Sequence, residues 1–112
     1  MRLKWILIGI LFSAVASAQV LMKPAGATFM DEMATSMKRM DKDMAKASMS
    51  GDVDHDFAQM MIPHHQGAID MAKSELLYGK DPVMRRLAEE IITDQQLEIE
   101  LMQHWLKRQH TN

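Results

Sequence analysis

Apolar residues recur at helical spacing in three stretches of the chain, and nowhere do they alternate with polar ones in the manner of a strand. In the first stretch Met30, Met33, Met37, Met40 and Met44 follow at intervals of 3, 4, 3 and 4 residues, which places all five on one helical face. Thr28 stands before them as an N-cap, with Asp31 and Glu32 in the first turn, where the helix dipole favours negative charge. A helix is predicted over 28–49, stopped by Ser50-Gly51-Asp52. Its methionines are nearly its only large apolar side chains, so they are expected to form its core.

A second helix is predicted over 54–78, capped by Asp54 and closed by Gly79 in the left-handed C-cap conformation. At about 100° per residue, Phe57, Met60, His64, Ala68 and Met71 share one face, and Met61 and His65 lie one step round. Gln59, Gln66, Asp70 and Lys73 take the opposite side, so both histidines are expected to project inward. Pro63 removes one backbone hydrogen bond and crowds the carbonyl of Gln59, which predicts a kink or restart beside the histidine pair. The third helix is predicted from Pro82, the N1 residue after the cap Asp81, to about Lys107. Met84, Leu87, Ile91, Gln95, Glu98, Met102, Trp105 and Leu106 line its apolar side. The expectation is an all-α fold, an antiparallel bundle of about three helices.

A weak internal repeat links the last two helices at an offset of thirty residues. Phe57-Ala58, Ile62, Gln66 and Ile69 recur as Leu87-Ala88, Ile92, Gln96 and Ile99, and His64-His65 falls opposite Asp94-Gln95. The same matches arise from amphipathic periodicity alone.

The N-terminus changes the picture of where the protein works. Arg2 and Lys4 precede an apolar run from Trp5 to Val15, and Ala16-Ser17-Ala18 presents the small residues of a cleavage site. Even counted through Ala18, the stretch of 14 residues from Trp5 falls short of the roughly 20 needed to span a bilayer. Residues 1–18 are therefore expected to be a cleaved signal peptide, 19–27 a flexible leader containing Pro24 and Gly26, and 28–112 the helical metal-binding domain. No membrane anchor is expected after cleavage, and the location is the periplasm or the exterior. Without Arg2 and Lys4, 11 basic residues face 15 acidic ones, a charge of −4 that argues against nucleic acid as a partner.

The chain has no cysteine and 13 methionines among 112 residues. Disulfides and thiolate ligands are thereby excluded, and the interior is rich in thioether. Met60/His64 and Met61/His65 are both i, i+4 pairs, so each pair can converge on one point, and Met71 follows on the same face. Imidazole with thioether and without thiolate suits Cu(I), with Ag(I) as its surrogate. Gln95 and Glu98 interrupt the apolar side of the third helix; they are expected to orient the histidines, because a ligating histidine commonly donates its second nitrogen to such an acceptor. An isolated core histidine is more often a satisfied packing residue, and Gln95 and Glu98 have the plainer option of bonding each other or a buried water. His104 and His110 are expected to be solvated.

Catalytic signals are lacking. Condensation enzymes use His-His-x-x-x-Asp, whereas Asp70 lies one residue too far. A ferritin-like oxidative site needs several inward carboxylates with Glu-x-x-His spacing, and only Glu75 and Glu98 are expected to face inward, neither three residues before a histidine. The protein is not expected to be an enzyme.

Asp56-Phe57 and the run from Met60 to Lys73, MMIPHHQGAIDMAK, resemble the signature of a bacterial secreted family defined by its His-His motif. The likeness continues through Tyr78-Gly79-Lys80-Asp81-Pro82, Arg86-Leu87-Ala88, Ile91-Ile92, Gln95, Glu98-Ile99 and Trp105-Leu106. That family, a domain of unknown function, is grouped with the ferritin-like helical bundles and includes CopM-like periplasmic copper metallochaperones. The resemblance implies His64, His65, Met61 and Met71 as ligands, copper as the cargo and a copper-accepting periplasmic protein as partner. This chain departs from the longer members in having one His-His unit and about three helices instead of four. Whether one chain completes the bundle or pairs as a homo-oligomer stays open at this point.

The expected function is copper binding for buffering, resistance or metallochaperone transfer, through His64, His65, Met60, Met61 and Met71. The alternative is a periplasmic interaction or chaperone-like module that holds protein clients on a Met-rich surface without metal, since Met adapts to varied partners.

Overall fold

The computed structural model describes Lys23 and residues 25–110; the expected signal segment and residues 19–22 of the leader lie outside them. The described residues form an all-α helical bundle of three helices, α1 (Phe29–Ala45), α2 (Val53–Tyr78) and α3 (Pro82–Gln109), without a strand. None of these helices is long and apolar enough to cross a membrane.

Two caps fall where the sequence places them. The Thr28 hydroxyl accepts from the Asp31 amide while the Asp31 carboxylate accepts from the Thr28 amide at 2.9 Å, a reciprocal capping box. Asp81 accepts from the amides of Val83 and Met84 at 2.9 and 3.0 Å, with Pro82 beginning α3.

The connection between α1 and α2 differs from expectation. α1 ends at Ala45 instead of reaching 49, and α2 is capped by Asp52 instead of Asp54. One carboxylate accounts for the second difference. Asp56 accepts from the amides of Ser50 and Gly51 at 2.7 and 3.0 Å, which fixes the turn before α2 and places Asp52 where it accepts from the His55 amide. Gly51 takes φ +89°, a conformation that costs glycine little.

The end of α2 also differs. Gly79 is extended, with φ −72° and ψ 151°, and not left-handed. The Arg85 guanidinium donates to the carbonyls of Leu76 and Gly79 at 2.8 and 2.9 Å, satisfying at Leu76 a group that a left-handed cap would otherwise have served. The restart expected at Pro63 does not occur, since α2 runs unbroken across it.

α2 is the central element, with α1 on one flank and α3 on the other; no Cα of α1 comes within 8 Å of one in α3. Ala58, His65, Ile69 and Ala72 are buried within about 60° of arc on the flank toward α3, against Ala88, Ile99 and Leu106. Gly67 and Ser74 are buried on the flank toward α1. The Arg39 guanidinium bonds Asp70 at 3.2 Å and ties α1 to α2. Tyr78 donates its hydroxyl to the Ala27 carbonyl at 3.1 Å and meets Phe29 edge to face, holding the start of α1 against the end of α2.

This layering corrects the expected core. The apolar face of α2 lies between the two flanks and stays open: Phe57 is 63% exposed. Met30 and Met37, expected in the α1 core, are 70% and 50% exposed, while Met33, Met40 and Met44 are partly buried. On α3, Met84 and Leu87 are exposed and Ala88 is buried in their stead. Small residues at the flanks let the backbones approach, and that close approach outweighs the wider apolar stripe in choosing which side is covered.

The thirty-residue offset is matched in environment. Ala58 and Ala88 are buried, as are Ile69 and Ile99, whereas Phe57 and Leu87 are both exposed, so α2 and α3 present equivalent positions to each other.

Candidate metal centre

His65 is buried on the flank toward α3, and its Nε2 meets the Glu98 carboxylate. An ionised carboxylate only accepts, so Nε2 carries a proton, and in the neutral ring Nδ1 carries the lone pair. His65 Nδ1 is buried and has no hydrogen-bond partner, and the same is true of Gln95 Oε1. The offset repeat explains the second orphan. Positions 65 and 95 are equivalent, but the counterpart of Glu98 is Ala68, which offers Gln95 nothing to bond. Two orphaned acceptor atoms at equivalent positions of α2 and α3 call for a donor or a cation.

His64 corrects the expectation that both histidines point inward. It is exposed, on the open face of α2, with its ring centre 6.1 Å from that of His65 and the planes inclined at 61°. Adjacent helical residues diverge by about 100°, and the neighbour on α3 covers only one of the two directions. Met60, Met61 and Met71 are partly buried along the same face. Met71 borders a groove of about 320 Å³ that runs over α2 from Phe29 and Met33 to Met84 and Leu87. Gln95 and Glu98 lie on the facing side of α3 as expected, Glu98 with a side chain that is 56% exposed at its outer edge.

Met40 takes a packing role. A Cβ built at Gly67 would lie 2.6 Å from Met40 Sδ, so the thioether rests directly on the α2 backbone one turn from His64.

The structure also brings together two histidines that sequence reasoning leaves apart. His55, near the start of α2, and His110, at the end of α3, have ring centres 6.5 Å apart at an interplanar angle of 86°. His55 Nδ1 donates to Asp56 at 3.0 Å. The Asp56 carboxyl is held down to about 2, by the Ser50 amide first and the His55 ring second. Two positions 55 residues apart, at the ends of different helices, carry no spacing signal. His104 is exposed, as expected. Among the described residues no three His, Cys, Asp or Glu side chains are gathered as a metal shell. Any metal held here therefore relies on thioether, amide oxygen or solvent besides imidazole.

The profile of the domain of unknown function DUF305 matches residues 11–106. No curated protein matches the chain.

Proposed function

The chain belongs to the DUF305 family, and from that premise we propose that it is a periplasmic copper-binding protein that takes up Cu(I) at His64, His65 and the neighbouring methionines for buffering, resistance or handover. The observation that carries this reading is the buried, unpartnered Nδ1 of His65 on an imidazole whose other nitrogen is fixed by Glu98. That is the arrangement by which second-sphere carboxylates orient ligating histidines and raise their basicity. Met60, Met61 and Met71 supply thioether on the same helix, a donor set that favours a soft monovalent ion over Mg(II) or Ca(II).

His65 is the anchoring nitrogen donor. His64, exposed on the open face, is the donor through which an ion enters or passes to an accepting protein. The buried, unpartnered Oε1 of Gln95 on α3 is an acceptor free for a supporting role. The resemblance of the motif to CopM-like metallochaperones, read from the sequence alone, implies copper as cargo, and the export signal expected over 1–18 agrees with the compartment; periplasmic protein whose mass begins at Gln19 would support it, and a retained Met1–Ala18 would count against it. Competition of the mature protein against a Cu(I) chelator, with and without His64→Ala and His65→Ala, tests the assignment.

The alternative, a client-holding module without metal, draws on the open apolar face around Phe57 and Leu101, which are 63% and 66% exposed. Under that reading, suppression of the aggregation of an unfolded substrate survives His64→Ala/His65→Ala; under the copper reading the double variant loses Cu(I) binding.

A further inference from the structure

We infer that His55 and His110 form a second metal site, separate from the first and suited to a borderline divalent cation, Cu(II) or Zn(II). It lies at the end of the molecule where α2 begins and α3 ends. The two rings stand 6.5 Å apart, centre to centre, and nearly perpendicular. For both rings to meet one ion at about 2.0–2.1 Å from each nitrogen, His110, at the exposed end of its helix, has to turn and close toward His55.

The His55 ring is already prepared as a ligand. Its Nδ1–H donates to Asp56 Oδ1 at 3.0 Å, which in the neutral ring leaves the lone pair on Nε2. Asp56 is itself immobilised: it accepts from the Ser50 amide at 2.7 Å, the Gly51 amide at 3.0 Å and the Ser50 hydroxyl at 3.1 Å. A carboxylate so fastened behind an imidazole is the support that metal-binding histidines use. The two rings border a cavity of about 390 Å³ whose wall also includes Asp52, Asp54, Trp105 and Gln109. Asp52 is engaged as the α2 cap and no third His, Asp or Glu side chain is gathered with the two rings among the described residues, so solvent oxygen would complete the shell. No sulfur lines this cavity, and nitrogen with oxygen selects Cu(II) or Zn(II) over Cu(I). His55 precedes His64 and His65 by nine and ten positions, about 14–15 Å along a helix, too far for one ion to bridge.

The test uses the mature protein carrying His64→Ala and His65→Ala, so that loss of the first site cannot be confused with loss of the second. Calorimetric titration with Zn(II), and with Cu(II) under air, should find one equivalent bound. Adding His110→Gln, at an exposed terminal position, should weaken binding at least about tenfold, in line with the loss of one ligand, with unchanged circular dichroism. Adding His55→Gln should do the same. Paramagnetic resonance of the Cu(II) form should report coupling to two imidazole nitrogens, falling to one in His110→Gln. No bound equivalent in the His64/His65 background, or affinity and nitrogen coupling unchanged by His110→Gln, overturns the inference.

Discussion

The ring of His65 bridges α2 and α3, giving Nε2 to the Glu98 carboxylate and keeping Nδ1 buried without a partner. Glu98 thus settles which nitrogen is free. Glu98→Gln preserves shape but offers either an amide donor or a weaker acceptor to the same ring. It should lower Cu(I) affinity about 10- to 100-fold with little change in helicity. Chelator competition paired with circular dichroism checks this, and unchanged affinity would remove Glu98 from the site.

Gly67 lies under Met40, where an added Cβ would stand 2.6 Å from the thioether sulfur. Gly67→Ala should destabilise the fold by about 1–3 kcal/mol through overpacking, despite alanine's better helix propensity. Met40→Ala in the same chain should relieve part of the loss. Denaturant unfolding of the two single variants and the double variant would reveal the coupling; simple additivity would mean that the sulfur yields without cost.

The methionines should divide by position. Met37 is half exposed, so Met37→Leu should change stability by no more than about 0.5 kcal/mol and leave copper binding intact. Met61→Leu and Met71→Leu conserve volume at partly buried positions and should cost less than about 1.5 kcal/mol while weakening Cu(I) binding. Equal affinity across all three variants would remove Met61 and Met71 from the site.

Asp56 predicts an acid-sensitive connection. Its carboxyl is held down to about 2 by the Ser50 amide and the His55 ring, from an ordinary value of 3.8. A group whose folded value is depressed contributes stability that is complete above its unfolded value and lost as pH falls through the folded one. The contribution should therefore be full above about pH 4 and disappear toward about pH 2. Asp56→Asn should flatten the stability profile in that window, as followed by denaturant midpoints; an unaltered profile would show that the α1–α2 connection does not depend on this carboxylate.

The parts of the fold that are legible in the sequence are those decided locally. Thr28, Asp81 and Pro82 mark helix starts because a cap needs only its own next three residues. The choice of Asp52 over Asp54 as the α2 cap is not local: three aspartates stand at alternate positions, and Asp56 decides among them by reaching back to Ser50 and Gly51. Periodicity identifies the apolar face of α2 but not the directions its neighbours cover, so His64 and His65 look alike in the sequence although one is exposed and the other buried. The contact between His65 and Glu98 is foreseeable because polar residues interrupting an apolar face need partners. The approach of His55 to His110 is not, since helix length and the antiparallel return of α3 bring them together only in three dimensions.

The central claim, that His65 and its neighbours hold Cu(I), is tested most directly by titrating the mature protein with Cu(I) against a competing chelator beside His65→Ala. The account predicts that the wild-type chain withdraws copper from the chelator and that His65→Ala loses most of that ability while remaining helical. Equal copper withdrawal by the folded His65→Ala protein would contradict it.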